Sequence, residues 1–215
     1  MRVCLASTSP ARLMLLRQAG IEPLIISPAV DEDSVAAGAT AERGGALAPD
    51  ELVLLLARAK AAEVAHRLLE EHPEFDGIVI GGDSMFEIGG QVHGKPYTPE
   101  AARERWQQMR GRTGILHSGH SVFRVAPGAD MVEAAAVAEA AVTFAADVTD
   151  AELDAYIGSG EPLHVAGAFT VDSLGGAFIT RVEGDPSTVV GMSLSTLRSL
   201  ARELGVVWTD LWSPA

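Results

Sequence analysis

A short apolar run bounded by glycines, Ile78–Ile80, constrains the fold of this chain more than any other stretch. Three consecutive β-branched residues indicate a strand that is buried on both faces in the interior of a sheet. Gly81 and Gly82 follow, and their lack of a Cβ lets backbone or ligand approach closely. Asp83 is therefore predicted at the carboxyl end of the strand, which is where open α/β sheets bind their ligands.

A lysine follows this aspartate after a turn that would bring the chain back. Gly89 and Gly90 predict a hairpin turn, and Lys95 stands between a glycine and a proline shortly afterwards. An acid and a base on paired strands predict a phosphate or metal-phosphate site. The alternative is that Asp83 is a turn residue or helix cap and that Lys95 belongs to an ordinary loop.

The beginning of the chain predicts another strand, followed directly by a helix. Arg2–Ala6 is an apolar strand, and Ser9 is a good cap for a helix over Pro10–Ala19 that has proline in its first position. The free N–H groups of the first turn, together with the Ser7 and Ser9 hydroxyls and Arg12, would form an anion pocket. The alternative is an ordinary capped helix with a solvated Arg12.

Three adjacent carboxylates, Asp31, Glu32 and Asp33, come after a second predicted strand at residues 21–27. Such a triplet is usually a solvated loop. Near a phosphate site it could instead hold Mg²⁺ or Mn²⁺, which take oxygen ligands.

The rest of the chain predicts further elements with recognisable ends. Residues 36–49 are rich in Gly and Ala and are predicted as a surface loop. Lys60 lies in the long helix that follows, where a solvated surface lysine is the default. Caps, glycines and apolar periodicity predict helices over residues 50–72, 98–110, 149–158 and 195–204, and strands over residues 117–125, 131–144 and 177–183.

Histidines and tryptophans offer weaker signals. His117 and His120 would point to opposite faces of a strand, which argues against a transition-metal site. Trp106, Trp208 and Trp212 are predicted to pack against the protein rather than to stack on a base.

Composition excludes several function classes. A formal net charge of -13 and a pI near 4.8 would repel nucleic acid polymers and anionic lipid surfaces, whereas a small phosphorylated ligand remains compatible. Cys4 is the single cysteine, so no intrachain disulfide can form. No apolar stretch approaches the length of a membrane span. A cytoplasmic protein of one domain, residues 1–215, is the resulting expectation.

Taken in order, these pieces resemble the Maf family of nucleoside triphosphate pyrophosphatases, also described as septum-formation inhibitors. Each piece is weak alone, but their joint order is specific and spans nearly the whole chain. The matching stretches are Leu5–Arg12, Val30–Glu32, Ala57–Ala61, Gly81–Ser84, Gly94–Pro96, Gly111–Thr113, Val142–Phe144, Tyr156–Ile157, Gly160–Pro162, Ala166–Ala168 and Ile179–Met192.

The resemblance implies an α/β fold with a long mixed β-sheet flanked by helices, and two lobes with a nucleotide cleft between them. It implies hydrolysis of nucleoside triphosphates to the monophosphate and pyrophosphate, as house-cleaning of non-standard nucleotides. Asp83 would accept the proton of the attacking water, and Glu32 and Asp83 would bind a divalent ion, Mg²⁺ or Mn²⁺. Substrate would be held by Ser7, Ser9, Arg12, Lys60, Lys95 and Asp172.

Three departures from the family pattern stand out. Ala11 precedes Arg12 where one subgroup has paired arginines. Asp172 occupies a position that is Gln in the subgroup acting on dTTP and UTP, and acidic in the one acting on 7-methyl-GTP. A guanine-type preference follows if Asp172 reaches the base; alternatively it caps a turn near Ser173 and Gly175. Ser193 replaces a common proline before the last helix.

Other functions remain open at this point. A nucleotide-binding regulator of cell division without significant turnover would need no Asp83. A pyrophosphatase that prefers dTTP or UTP would contradict the interpretation of Asp172, and a phosphate-free acid/base hydrolase would be indifferent to a chelator. A homodimer is one option for the assembly.

Overall fold

The computed structural model describes residues 1–213 of the chain. Its elements are β1 (Arg2–Ala6), α1 (Pro10–Gln18), β2 (Leu24–Ile25), α2 (Glu32–Arg43), α3 (Pro49–Glu71), β3 (Gly77–Ile88), β4 (Gln91–His93), α4 (Pro99–Met109), β5 (Thr113–Val125), β6 (Val132–Phe144), α5 (Asp150–Gly158), β7 (Ile179–Gly184), α6 (Pro186–Val190) and α7 (Leu194–Glu203). Short 3₁₀ helices lie at Glu161–His164, Ala166–Ala168, Leu174–Phe178 and Trp208–Leu211. Within residues 1–213, no helix combines the length and apolarity that crossing a bilayer requires.

The strands form one mixed sheet in the order β2-β1-β3-β5-β6-β7, with β4 paired to β3. β1 is parallel to both β2 and β3, whereas β3 with β4 and β6 with β7 are antiparallel. The predicted α/β class with a long mixed sheet and flanking helices is therefore confirmed. The glycine turn between β3 and β4 is confirmed as well, because Ile88 pairs with Gln91 across it.

The chain divides into two compact units, each with its own hydrophobic core. The first unit comprises residues 1–83, 118–138 and 191–213, and the second comprises residues 84–117 and 139–190.

In the first unit, two glycines let the sheet approach the backbone of α3. A Cβ at Gly81 would lie 2.5 Å from the Ala57 carbonyl oxygen, and one at Gly119 would lie 2.2 Å from the Val53 carbonyl oxygen. Both distances are shorter than any real Cβ contact, so only glycine fits. Close packing of this kind fixes α3, and with it Lys60, against β3 and β5.

In the second unit, aromatic side chains form the core. Phe86, Trp106, Phe144 and Phe169 are buried and meet edge to face, with centroids 4.9 to 5.9 Å apart. The indole Nε1 of Trp106 donates to the Ala168 carbonyl at 2.8 Å. The prediction that Trp106 is a packing residue is thus confirmed.

The predicted loop over residues 36–49 is wrong in its first half, which belongs to α2. Asp31 caps this helix by accepting from the Ser34 N–H at 3.1 Å, and Gly44 ends it in the left-handed conformation. No residue of α2 is buried. The helix therefore has no apolar stripe by which it could be recognised.

Two strand predictions also differ from the structure. The strand predicted over residues 21–27 is reduced to Leu24–Ile25, because only these residues pair with β1 and prolines flank them at positions 23 and 28. The strand containing Ile78–Ile80 extends to Ile88, so Asp83 lies within β3 rather than at its end. The other predicted helices and strands are found within a few residues of their expected ends.

Candidate active site

The register of β1 on β3 brings two polar segments of the first unit to one edge. Ala6, the last residue of β1, pairs with Gly81 in a parallel register. Ser7 therefore leaves the sheet level with Gly82, next to Asp83 on the strand that continues. This edge lies at the carboxyl end of β1, the position where ligands bind in α/β sheets.

The turn from β1 into α1 is built around two serines and an arginine. Ser9 caps α1 by accepting from the Arg12 N–H at 3.5 Å, and Ser7 Oγ accepts from the Ser9 N–H at 3.2 Å. Arg12 Nη1 also donates to Ser7 Oγ at 3.2 Å, and its Nε donates to the Gly191 carbonyl at 2.9 Å. The alternative of a solvated Arg12 is wrong, since both ends of its guanidinium are bonded within the unit.

Lys60 reaches from α3 into this edge. It is 7% exposed, and its Nζ lies 2.7 Å from Asp83 Oδ1 and 2.8 Å from Glu32 Oε1. The default of a solvated surface lysine is therefore wrong. One ammonium group joins the strand carboxylate to the first turn of α2.

Burial and charge act against each other at Asp83. Burial raises the pKa of Asp83 above its usual value, the positive charges of Lys60 and Arg12 oppose that rise, and the negative charge of Glu32 adds to it. A buried carboxylate whose pKa is shifted by burial and by neighbouring charges is typical of functional sites.

Burial and neighbouring charges also act in opposite directions on the pKa of Arg12. Burial lowers the pKa of its guanidinium, and the charges of Asp83 and Glu32 oppose that change.

The absence of a side chain at Gly82 leaves room for the guanidinium of Arg12. A Cβ at this position would lie 3.3 Å from Arg12 Nε and 3.6 Å from the Gly119 carbonyl oxygen. The two adjacent glycines thus have different partners: Gly81 faces the backbone of α3, and Gly82 faces the guanidinium.

A divalent cation fits the donor set at this edge. Glu32 Oε1 and Asp83 Oδ1 converge on the same Lys60 nitrogen, and carboxylate oxygens are the ligands that Mg²⁺ and Mn²⁺ prefer. Residues 1–213 contain no cluster of three or more His, Cys, Asp or Glu side chains suited to a metal. Two carboxylates completed by water and substrate phosphate oxygens are the usual arrangement for Mg²⁺.

The other two residues expected at the site, Lys95 and Asp172, belong to the second unit. Both side chains are exposed, Lys95 in the loop after β4 and Asp172 in the turn before Leu174–Phe178. Tyr97, two residues after Lys95, has a positive φ of 61°, an uncommon conformation for a non-glycine residue. Its N–H donates to the Leu163 carbonyl at 3.0 Å, which ties this loop to the 160–175 segment.

The turn that carries Asp172 is held by Glu161. This carboxylate accepts from the Ser173 hydroxyl at 2.8 Å, from the Leu174 and Gly175 N–H groups at 3.2 and 3.0 Å, and from the Thr170 hydroxyl. Burial raises the pKa of Glu161, but the hydrogen bonds prevail and lower it to about 2. The cap near Ser173 and Gly175 is therefore Glu161, and the alternative that Asp172 fills this role is wrong.

A cavity of about 540 Å³ lies elsewhere in the first unit, around the first residues of β1. Arg2, Leu68, Phe75 and Trp212 are among its lining residues, and the lining is mainly apolar. None of the converging charges at the carboxyl edge of β1 borders it, so chemistry is assigned to that edge instead.

Sequence reasoning missed three residues that support the site. His120, Gly191 and Ser193 hold the segment that receives Arg12, and Arg12 and Gly191 are 179 residues apart in the sequence. Of these residues, the sequence analysis singled out Ser193 only as a departure from the family pattern.

Comparison with known proteins shows which family this chain resembles. The family model described as Maf-like protein matches residues 2–204. The nucleoside triphosphate pyrophosphatase of Leifsonia xyli subsp. xyli (strain CTCB07) is 61% identical over 100% of this chain and 98% of its own. The nucleoside triphosphate pyrophosphatase of Nocardia farcinica (strain IFM 10152) is 50% identical over 97% of this chain and 95% of its own.

Among solved structures, the Staphylococcus aureus Ham1 protein is 11% identical with a TM-score of 0.35, covering 68% of this chain and 73% of its own. A likeness at that level carries no weight for the site. The family model and the full-length identities are sufficient: this chain belongs to the Maf family.

Proposed function

We propose that this protein is a nucleoside triphosphate pyrophosphatase that cleaves the bond between the α- and β-phosphates. The observation that carries the proposal is the cluster of charged side chains at the carboxyl edge of β1, in which the buried Lys60 and Asp83 meet Glu32 and Arg12. Relatives of similar length bear that activity in their names. House-cleaning of non-standard nucleotides in the cytoplasm is the role that such an activity would serve.

Asp83 is the general base in this proposal. Its carboxylate takes a proton from a water molecule whose oxygen forms a bond to the α-phosphorus, while the bond from that phosphorus to the bridging oxygen breaks. Pyrophosphate leaves with the bonding electrons, and the nucleoside monophosphate remains. The burial that raises the pKa of Asp83 supports this role, because it makes the carboxylate a stronger proton acceptor.

Fixed cations supply the second part of the mechanism. Arg12 and Lys60 bind phosphate oxygens of the substrate, with the Ser7 and Ser9 region at the start of α1 adding hydrogen-bond donors. Lys95 in the second unit is assigned the same class of contact. Catalysis of phosphoryl transfer depends mainly on positioning and charge neutralisation, which these groups provide.

Glu32 and Asp83 would hold a divalent cation, Mg²⁺ or Mn²⁺. A bound cation withdraws negative charge from phosphate oxygens and neutralises the charge that develops on the leaving group. With a cation held by these two carboxylates, the ammonium group of Lys60 would be available to the substrate phosphates.

The base preference is the finer part of the proposal. A carboxylate only accepts hydrogen bonds, so Asp172 suits a base edge with adjacent N–H donors, as in guanine. The positive charge of 7-methylguanine would strengthen the contact further. The exposed position of Asp172 and the rigid turn provided by Glu161 support a preference for guanine-type triphosphates.

A product assay tests the activity directly. Wild-type protein and Asp83→Asn are incubated with a nucleotide panel and Mg²⁺ or Mn²⁺, and monophosphate and pyrophosphate are separated from diphosphate and phosphate. We expect monophosphate and pyrophosphate from the wild-type protein, and a rate of hydrolysis that is lower by about a hundredfold or more in Asp83→Asn. Asp33→Asn, at the residue directly after Glu32, is a charge-matched control.

Other outcomes identify the alternatives. Nucleotide binding without turnover would indicate a regulator of the cell-division type. Turnover that persists in excess chelator would indicate acid/base hydrolysis without a metal. Equal rates in wild type and Asp83→Asn would remove Asp83 as the base.

A further inference from the structure

A buried histidine holds the loop before the last helix. His120 lies on β5 and is fully buried, and its Nε2 accepts from the backbone N–H of Ser193 at 2.8 Å. Ser193 is itself fully buried and caps α7 by accepting from the Thr196 N–H at 3.1 Å. All of these residues belong to the first unit.

The direction of this hydrogen bond sets the state of the ring. A backbone N–H can only donate, so Nε2 must carry a lone pair, and the proton of the neutral imidazole lies on Nδ1. A second proton on Nε2 would place two donors against each other. His120 therefore acts here as a fixed acceptor.

The same loop supplies the acceptor for Arg12. Gly191, two residues before Ser193, receives the Arg12 Nε–H on its carbonyl at 2.9 Å. Its φ of 121° lies in the region that favours glycine, so the peptide is directed by backbone geometry that other residues rarely adopt. A shift of Ser193 would thus move the carbonyl that orients the guanidinium.

We infer that His120 is a positioning residue, which fixes the segment 191–193 and through it aims Arg12 at the phosphates. This inference rests on the proposed function of Arg12 as a phosphate ligand. His120 is not expected to touch substrate. Its effect should therefore appear only while Arg12 is present.

Ser193 strengthens the inference because the hydrogen bond uses its backbone N–H. Proline has no N–H, so a chain with proline there could not form this hydrogen bond. The histidine acceptor and the serine donor consequently form a pair, and the pair connects β5 to the start of α7.

The test is a double-mutant cycle read by calorimetric binding of inorganic tripolyphosphate with Mg²⁺, a probe that carries no base. Four proteins are compared: wild type, Arg12→Ala, His120→Leu and the double variant. Arg12→Ala should weaken binding about ten- to a hundredfold, and His120→Leu about three- to thirtyfold. The double variant should bind no more weakly than Arg12→Ala alone.

Two further variants separate positioning from folding. His120→Gln places an amide oxygen near the position of Nε2 and should restore binding to within about threefold of wild type. If His120→Leu does not fold, Ser193→Pro removes the same hydrogen bond from the donor side. Ser193→Ala is its control, because it loses the cap of α7 but keeps the N–H.

Additive losses in the double variant, or wild-type binding by His120→Leu, would overturn the inference and leave the pyrophosphatase proposal intact. Unchanged binding by Arg12→Ala would overturn both the phosphate role of Arg12 and this inference. A protein that shows the expected coupling but hydrolyses no nucleotide would retain the inference and refute the proposed activity.

Discussion

Lys60 Nζ lies 2.7 Å from Asp83 Oδ1, within a contact that also includes Glu32 Oε1 at 2.8 Å. The two carboxylates carry like charges, one on a buried residue and one on a half-exposed residue, and the Lys60 ammonium group lies between them. The ammonium group thus occupies the place that a divalent ion would take between the same two oxygens. Lysine and metal should therefore compete for Asp83 and Glu32 until a phosphate attracts the lysine.

Replacing Lys60 by methionine should tighten Mn²⁺ binding in the absence of nucleotide. A unit charge a few Å from the ion opposes binding by more than about 1.4 kcal/mol even in a polarisable site, so we expect about tenfold or more. Electron paramagnetic resonance of free Mn²⁺ measures the affinity. Turnover should fall in the same variant by about ten- to a hundredfold, because the phosphates lose a cation.

Arg58→Met is the matched control for that experiment. It removes the same charge from the same helix, but Arg58 pairs with Glu133 and is half exposed. Its Mn²⁺ affinity should stay within about twofold of wild type, as expected for a screened surface charge. Equal Mn²⁺ affinity in wild type and Lys60→Met would contradict the competition.

Alanine at the two adjacent glycines should separate stability from binding. At Gly81 the new Cβ would lie 2.5 Å from the Ala57 carbonyl and 2.7 Å from Ala61 Cβ, so α3 must move and stability should fall by about 1 to 3 kcal/mol or more. At Gly82 it would lie 3.3 Å from Arg12 Nε, which a side chain can accommodate by moving.

Urea unfolding and nucleotide affinity measured on both variants check this difference. Gly82→Ala should keep most of its stability and lose affinity, whereas Gly81→Ala should lose stability first. The reverse order would show that Gly82, and not Gly81, is in tight contact with the backbone.

Neutralising Glu161 should destabilise the protein in a pH-dependent way. The pKa of Glu161 falls from 4.5 to about 2 on folding, so its carboxylate contributes stability above pH 4.5 that is lost as the pH falls towards 2. At pH 7, Glu161→Gln should cost about 1 kcal/mol, a modest value because the group is partly exposed.

The difference between wild type and Glu161→Gln should shrink when urea midpoints are measured at pH 3 instead of pH 7. Glu104→Gln, at an exposed position of α4, serves as the control and should track wild type at both values. A constant difference across this range would show that hydrogen-bond geometry, rather than charge, makes Glu161 important.

Changing Asp172 to glutamine should shift selectivity towards dTTP and UTP. An amide can both donate and accept, which matches the imide edge of thymine or uracil. Ratios of kcat/KM across the nucleotide panel measure the shift, with Asp172→Asn as a shorter amide. Lys95→Ala is the contrasting variant, because the loss of a phosphate contact should lower activity toward all nucleotides alike. A strong dTTP or UTP preference in the unmutated protein would contradict the role of Asp172.

Local signals explain which parts of the fold were predictable. Ser9 and Pro10 define the start of α1, and Thr149 with Glu152 forms the capping box of α5, because these caps act within four residues of sequence. The run of β3 beyond Asp83 was missed since polar residues interrupt its apolar pattern. Pairing with neighbouring strands, rather than local preference, extends it to Ile88.

Residues of the candidate site were predictable where the chemistry of the residue type and its position in the family pattern indicated the same role. Sequence reasoning selected Ser7, Arg12, Glu32, Lys60 and Asp83, and the structure brings these five together in one unit. It did not predict the hydrogen bond between His120 and Ser193, which are 73 residues apart in the sequence. Contacts over such distances leave no trace in the periodicity or composition of either segment.

The helix that carries Glu32 has one further consequence. Asp83 sits on an interior strand, whereas Glu32 begins a helix of which no residue is buried. The pair is thus asymmetric: the sheet holds Asp83 in place, whereas the position of Glu32 depends on an exposed helix being formed. The intrinsic helicity of α2 then becomes a determinant of affinity. Gly38 lies in the middle of α2, and a Cβ added there would meet no atom within 4 Å. Alanine at this position would raise the helix propensity of α2 without a steric clash. It would thereby change the affinity of a site with which it makes no contact.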